Sequence, residues 1–180
     1  MTAIDIARTL NESSFAMENP MFKKILVPTD GSRLSQQSAK AAVELARSLG
    51  AGVVGFVATP EYKMRVIEDA VFAPGTLSEP DFTKAVKRSA KNFLGEIEQL
   101  ARDAGVSFSG ASVTSEHPAG AIVDAASRNA CDLIFMGSHG RSSIVQIFLG
   151  GVTTKVLSLS SLPVMVFRPQ KPKPAARHSN

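Results

Sequence analysis

Residues 131–157 read CDLIFMGSHGRSSIVQIFLGGVTTKVL. The first part, Cys131 to Gly137, is a continuous apolar run of strand length, as expected of a strand covered on both faces of a parallel sheet. From about Gly151 the chain turns into a short apolar helix. Between the two stand Gly137 and Gly140, then a ten-residue step to the pair Gly150 and Gly151. Glycine loses more conformational freedom on folding than any other residue, so this cluster asks for a reason. Strand, glycine-bearing loop and helix, in that order, set the pattern for the rest of the chain.

Working outward, the alternation repeats. KKILVPTD (Lys23 to Asp30) is a short apolar run closed by proline, and it predicts a first buried strand. After it, Ala39, Ala42, Val43, Ala46 and Leu49 share one helical face, and Gly50 stands where a C-cap belongs. GVVGFVA (Gly52 to Ala58) is the second strand, followed by an irregular stretch, Thr59 to Pro80. From about Asp81 a long helix carries Val86, Ala90, Phe93, Ile97, Leu100 and Ala104 at helical spacing and stops at Gly105. VSFSGASVT (106–114) alternates as a third strand. HPAGAIVDAASRNA holds Pro118 near a first helical turn, and PVMVFR (Pro163–Arg168) is a fifth strand. Alternating strands and helices predict an α/β fold, an open five-stranded parallel sheet with helices on both faces and right-handed crossovers.

Residues 1–20 precede this pattern and 170–180 follow it, which leaves 21–169 as the domain. The net charge of +4 owes much to the tail, where Arg168, Lys171, Lys173 and Arg177 have no acidic neighbour. That proline-rich, polar segment reads as a disordered basic tail. With no tryptophan, one tyrosine and no basic stripe interleaved with aromatics, a nucleic-acid partner is not expected. No apolar run reaches transmembrane length, and MTAIDIARTLNESSFAMENP lacks a basic segment followed by an apolar block, so no membrane partner and a cytoplasmic location are expected. The single cysteine, Cys131, reads as a small buried hydrophobe.

Ligands of open parallel sheets bind at the carboxyl ends of strands where neighbouring crossovers diverge. The first strand ends in Pro28, Thr29, Asp30, Gly31 and Ser32; the fourth ends in Met136, Gly137, Ser138, His139, Gly140, Arg141, Ser142 and Ser143. If these strands are neighbours, both loops open onto one crevice. Glycines let main-chain N–H groups approach an anion, and Gly150–Gly151 precede a helix whose first N–H groups are unpaired. The glycines therefore either grip an anion or merely turn the chain. There is no GxxxxGK[ST], no GxGxxG after the first strand, and no GxSxG, HExxH or paired cysteine. His117 reads as a helix-start residue and His139 as the better candidate for ligand contact; Asp124 and Asp132 read as capping or solvated, and no metal-ligand spacing is present.

KKILVPTDGSRLSQQSAKAAVELARSLGA together with DLIFMGSHGRSSIVQIFLGGVTTKVLSLSSLPVMVFRP resembles the universal stress protein family, over about Phe22 to Pro169. The resemblance implies a fold of the adenine nucleotide alpha hydrolase kind, with strand order 3-2-1-4-5. It also implies a homodimer paired through the last strand, Pro163–Arg168, and a stress-response sensor or regulator acting on an unidentified protein partner. One branch of the family binds ATP or a related adenine nucleotide (ADP or AMP), with Mg²⁺ expected beside a triphosphate; another does not. The binding branch carries G-x2-G-x9-G followed by Ser or Thr. Gly137, Gly140 and Gly150 match, but Gly151 stands where the hydroxyl residue belongs. Carried over by position, Pro28, Thr29 and Asp30 line the adenosine side, Val57 lies against the base, and Met136 and Gly137 touch the nucleoside. Gly140, Arg141, Ser142, Gly150, Gly151 and Val152 surround the phosphates. Any ATP hydrolysis is expected to be weak. The alternatives are an interaction module of the same fold with the site empty, or an enzyme such as an ATP-dependent ligase or a flavoprotein, for which no catalytic motif is found.

Overall fold

The computed structural model describes residues 21–62, 78–139 and 149–169. Residues 1–20 and 170–180, for which an extension and a disordered tail are expected, lie outside these. The described chain runs β1 (Lys24–Pro28), α1 (Arg33–Leu49), β2 (Gly52–Thr59), α2 (Glu79–Asp103), β3 (Phe108–Thr114), α3 (Pro118–Arg128), β4 (Leu133–Gly137), α4 (Gly151–Leu159) and β5 (Val164–Phe167). The five strands form one parallel sheet in the order β3-β2-β1-β4-β5, as the resemblance implies.

Local chemistry sets the helix ends. Ser32 caps α1, its hydroxyl accepting from Ser35 N–H, and Gly50 closes the helix in the left-handed region at φ 65°. Ser78 caps α2 in the same way, with Pro80 in the first turn, so this helix begins two residues ahead of the expected Asp81. Strand β3 begins at Phe108 instead of Val106, because Val106 N–H is drawn back to Ala101 O at 2.8 Å in the turn that ends α2.

Two cores flank the sheet. On one face Ala39, Ala42, Val43 and Ala46 of α1 and Ile97 and Ala101 of α2 pack on Ile25, Val27, Val53, Leu133 and Phe135. On the other, Ile122, Ala125 and Ala126 of α3 and Val156 of α4 pack on Leu26, Val54, Phe56, Ile134 and Met136. All five residues of β4 are buried, as its unbroken apolar run predicts. Each fully buried Leu, Ile or Val contributes about 1.5–3 kcal/mol relative to exposure, so the doubly covered central strands dominate the fold's stability.

Candidate functional site at the switch between β1 and β4

β1 and β4 pair through Ile25↔Leu133 and Leu26↔Ile134. Beyond that short register β1 feeds α1 on one face of the sheet, while β4 leads towards α4 on the other. The two chains part, and a crevice opens at their carboxyl ends.

One wall is the end of β1. Thr29 N–H donates to Phe56 O at 2.9 Å, which keeps the chain on the sheet for one residue past the strand. The buried Thr29 and Ser35 hydroxyls lie 3.0 Å apart, and Gly31 N–H donates to Thr29 Oγ1 at 3.2 Å. Asp30 accepts from Ser32 N–H at 3.0 Å through Oδ1, an Asx turn that fixes its carboxylate at the rim. Gly31 sits at φ 75°, and a Cβ on it would overlap the ring of Phe93 from α2. Glycine is thus required there twice over, by conformation and by space.

The opposite wall joins β4 to α4. Ser138 N–H donates to Phe167 O (2.9 Å), Gly150 N–H to Ser138 O (2.8 Å), and the buried Thr153 hydroxyl to Gly137 O (3.1 Å). The first helical bond of α4 runs from Thr154 N–H to Gly150 O. The N–H groups of Gly151, Val152 and Thr153 therefore have no partner within the helix, and none among the described residues. A Cβ on Gly151 would meet nothing within 4 Å. His139 Nδ1 lies 2.9 Å from Ser138 Oγ, while its Nε2 is buried without a partner among the described residues.

These walls enclose a cavity of about 310 Å³. Its apolar side is Phe56 and Ala58 of β2, Pro118 and Ile122 of α3, and Met136; its polar side is Thr29, Asp30, Ser35, His139 and the start of α4. Of the residues expected at the site, Pro28, Thr29, Asp30, Met136, Gly137, Gly150, Gly151 and Val152 line this one cavity. Val57 does not. Side chains alternate along a strand, so Phe56 and Ala58 face the cavity while Val57 shares the parity of Val53, which packs on α1 and α2. Gly140, Arg141 and Ser142 lie outside the described residues. Sequence reading missed Ser35, Phe56, Ala58, Pro118, Ile122 and Thr153. For Phe56 the one available signal was the parity of β2, hidden because nearly every residue of that strand is buried.

The remaining candidates sit elsewhere. The Asp132 carboxylate accepts from the N–H groups of Lys23 (2.7 Å) and Lys24 (3.0 Å), clamping the start of β1 at the far pole of the sheet. Asp124 lies 3.9 Å from Arg128 on the exposed face of α3. His117 occupies the N-cap position of α3 without a side-chain cap bond. Burial pushes the Cys131 thiol up to about 11; Lys24 opposes this and Asp132 adds to it. No group of three or more metal-ligating side chains occurs among the described residues, and none of their helices is long and apolar enough to cross a membrane.

An open parallel sheet with a glycine-walled, helix-headed crevice at its topological switch defines a doubly wound α/β domain. The family model for the universal stress protein family matches residues 21–168, and the chain belongs to that family. It is 30% identical over 155 residues to universal stress protein MJ0531 of Methanocaldococcus jannaschii, covering 85% of each chain. MJ0577 of the same organism has a solved structure that superposes with a TM-score of 0.69 at 28% identity, over 84% of this chain and 99% of that one. A universal stress protein from Archaeoglobus fulgidus, solved in complex with dAMP, superposes at 0.55 with 20% identity, over 81% and 98%.

Proposed function

We propose that the crevice binds ATP or a related adenine nucleotide, and that the protein is a cytoplasmic, homodimeric stress-response regulator. The observation that carries this reading is the set of three N–H groups, on Gly151, Val152 and Thr153, heading α4 at the cavity wall without a partner among the described residues. A helix start with free donors favours phosphate oxygens through both hydrogen bonds and the helix dipole. The apolar side formed by Phe56, Ala58, Ile122 and Met136 suits a purine ring, and Asp30 at the rim would accept from a ribose hydroxyl. Val57, set on the other face by its parity, would meet the base through its main chain alone. Gly140, Arg141 and Ser142 are proposed to complete the phosphate side. The dAMP complex of the A. fulgidus protein is consistent with such a ligand in this fold.

Among the described lining residues only Asp30 carries a carboxylate, so Mg²⁺ would be held mainly by phosphates and water. Among the described lining residues there is no lysine or arginine, so Arg141 would be the cation available to a transferring phosphoryl group, and any hydrolysis is expected to be slow. For the dimer, β5 is an edge strand with Met165 41% exposed, and Leu157 and Leu159 of α4 are exposed nearby in sequence.

Calorimetric titration of nucleotide-stripped protein with ATP and Mg²⁺ tests the binding. Saturable heat with one nucleotide per chain is expected, lost in Gly140→Asp; no heat at millimolar ATP would refute the reading. Light scattering of wild type and Met165→Lys tests the dimer, the variant being expected as monomer.

A further inference from the structure

On the sheet edge away from β5, four cations stand on one stripe of α2: Lys84, Lys87, Arg88 and Lys91, at positions i, i+3, i+4 and i+7. All are exposed, and none forms an ion pair among the described residues. Lys87 and Lys91 border an open groove between α2 and β3, floored by small or apolar residues including Leu94, Gly110 and Ser112. The carboxylate at its far end, Glu98, is already engaged by Arg102 at 3.2 Å. Among the described residues the groove therefore presents positive charge with no ion-pair partner.

Its other border is a hydrogen-bonding edge with no partner strand among the described residues. β3 is the last strand of the sheet on this side. Val53 N–H donates to Ser107 O and Ser115 N–H to Thr59 O, so the odd-numbered residues turn their main-chain groups towards β2. In a parallel ladder the alternate residues then face outward, which leaves N–H and C=O of Gly110 and Ser112 directed away from the sheet. The Ser112 side chain lies in the groove beside the lysines, and a Cβ at Gly110 would meet Leu94 of α2.

We propose that this edge is a docking groove for an extended acidic segment of a partner protein, added to β3 as a sixth strand with acidic residues at alternate positions set against Lys87 and Lys91. The spacings agree. Lysines four apart on a helix are separated by about 6 Å along its axis, and alternate side chains of a strand by about 6.6 Å. Main-chain bonds to the edge hold the segment, and charge complementarity selects it.

The probe is a fluorescein-labelled peptide of alternating glutamate and threonine, measured by anisotropy against the full chain. The control has the same composition with its glutamates in one block. Saturable binding of the alternating peptide, several-fold tighter than the block control, is expected. Lys87→Glu/Lys91→Glu should weaken it on the order of tenfold or more; Lys87→Ser/Lys91→Ser serves if the reversal impairs folding, judged by circular dichroism. Ser112→Pro removes an outward N–H at a position where an edge strand tolerates proline, and should also abolish binding with the lysines intact. Equal binding of both peptides, or of duplex DNA or phosphatidylserine vesicles, unaffected by Ser112→Pro, would overturn the proposal in favour of a general polyanion surface. Self-association through β3, abolished by Ser112→Pro, without peptide binding would overturn it in favour of an edge between copies. Absence of binding, with aggregation of the lysine variants, would reduce the lysines to guards of a bare edge.

Discussion

Thr153 on α4 donates its hydroxyl to the main-chain carbonyl of Gly137 at the end of β4, 3.1 Å away and sixteen residues earlier in the chain. With the bond from Gly150 N–H to Ser138 O, it fixes the helix start against the strand end. The N–H groups that head α4 thus take their position from β4. Thr153→Val removes the hydroxyl from a site only 2% exposed and takes a partner from the Gly137 carbonyl. Stability in urea should fall by about 1–3 kcal/mol. Thr153→Ser should retain most of it, because it keeps the donor.

Gly151 is the departure from the family pattern, and the structure leaves room to reverse it. A Cβ there meets nothing within 4 Å, and the residue is outside the left-handed region. Gly151→Ser should therefore fold normally. On the nucleotide reading it adds a hydroxyl donor at the phosphate end, where one hydrogen bond to a charged group contributes about 1.5–3 kcal/mol. ATP affinity by calorimetry should rise roughly tenfold or more. An unchanged affinity would separate the helix start from the phosphates.

Two left-handed glycines form a matched pair. Gly31 and Gly50 have φ 75° and 65°, but only at Gly31 would a Cβ strike another group, the Phe93 ring. Gly50→Ala should cost about 1–2 kcal/mol, the conformational penalty alone. Gly31→Ala should cost about 1–3 kcal/mol more, for the displaced ring. It should also loosen the Asp30 turn, which thermal melts in the presence and absence of ATP would reveal.

Cys131 gives a pH signature. Its thiol is pushed from 9.0 up to about 11 by burial, so between these values the unfolded chain has lost the proton while the folded chain keeps it. Folding stability from this group is present below about pH 9 and declines as pH rises to about 11, by an amount on the order of 2 kcal/mol. Denaturation midpoints of wild type should show this alkaline fall, and Cys131→Ala should lack it.

The α/β class, the succession of strands and helices and the loops that end β1 and β4 were legible in the residues themselves, whereas the sheet order and the position-by-position assignment of the eight cavity residues came with the family resemblance. Buried parallel strands leave continuous apolar runs, and glycines mark where main chain must approach a ligand or turn sharply. What escaped lay where those signals vanish. β2 is apolar on both faces, so nothing in Gly52–Thr59 said whether Phe56 or Val57 faced the crevice. Ser35 and Thr153 look like ordinary polar helix residues, and only the fold reveals that their hydroxyls are sealed against main chain or another hydroxyl. Pro118 was readable as a first-turn proline, but its place at the cavity depends on how α3 lies over β2.

The Asp132 clamp lies at one end of the β1–β4 pair and the crevice at the other. The two central strands thus resemble a zip closed at its base and held open at its mouth. A ligand wedged between Thr29 and the start of α4 would act on the free end, tying together chains whose strand register and clamp lie below. Occupancy should suppress local opening of that mouth. Amide protons on Thr29, Ser138 and Gly150 should exchange more slowly with ligand present, while those of Lys23 and Lys24 at the clamped pole should not respond.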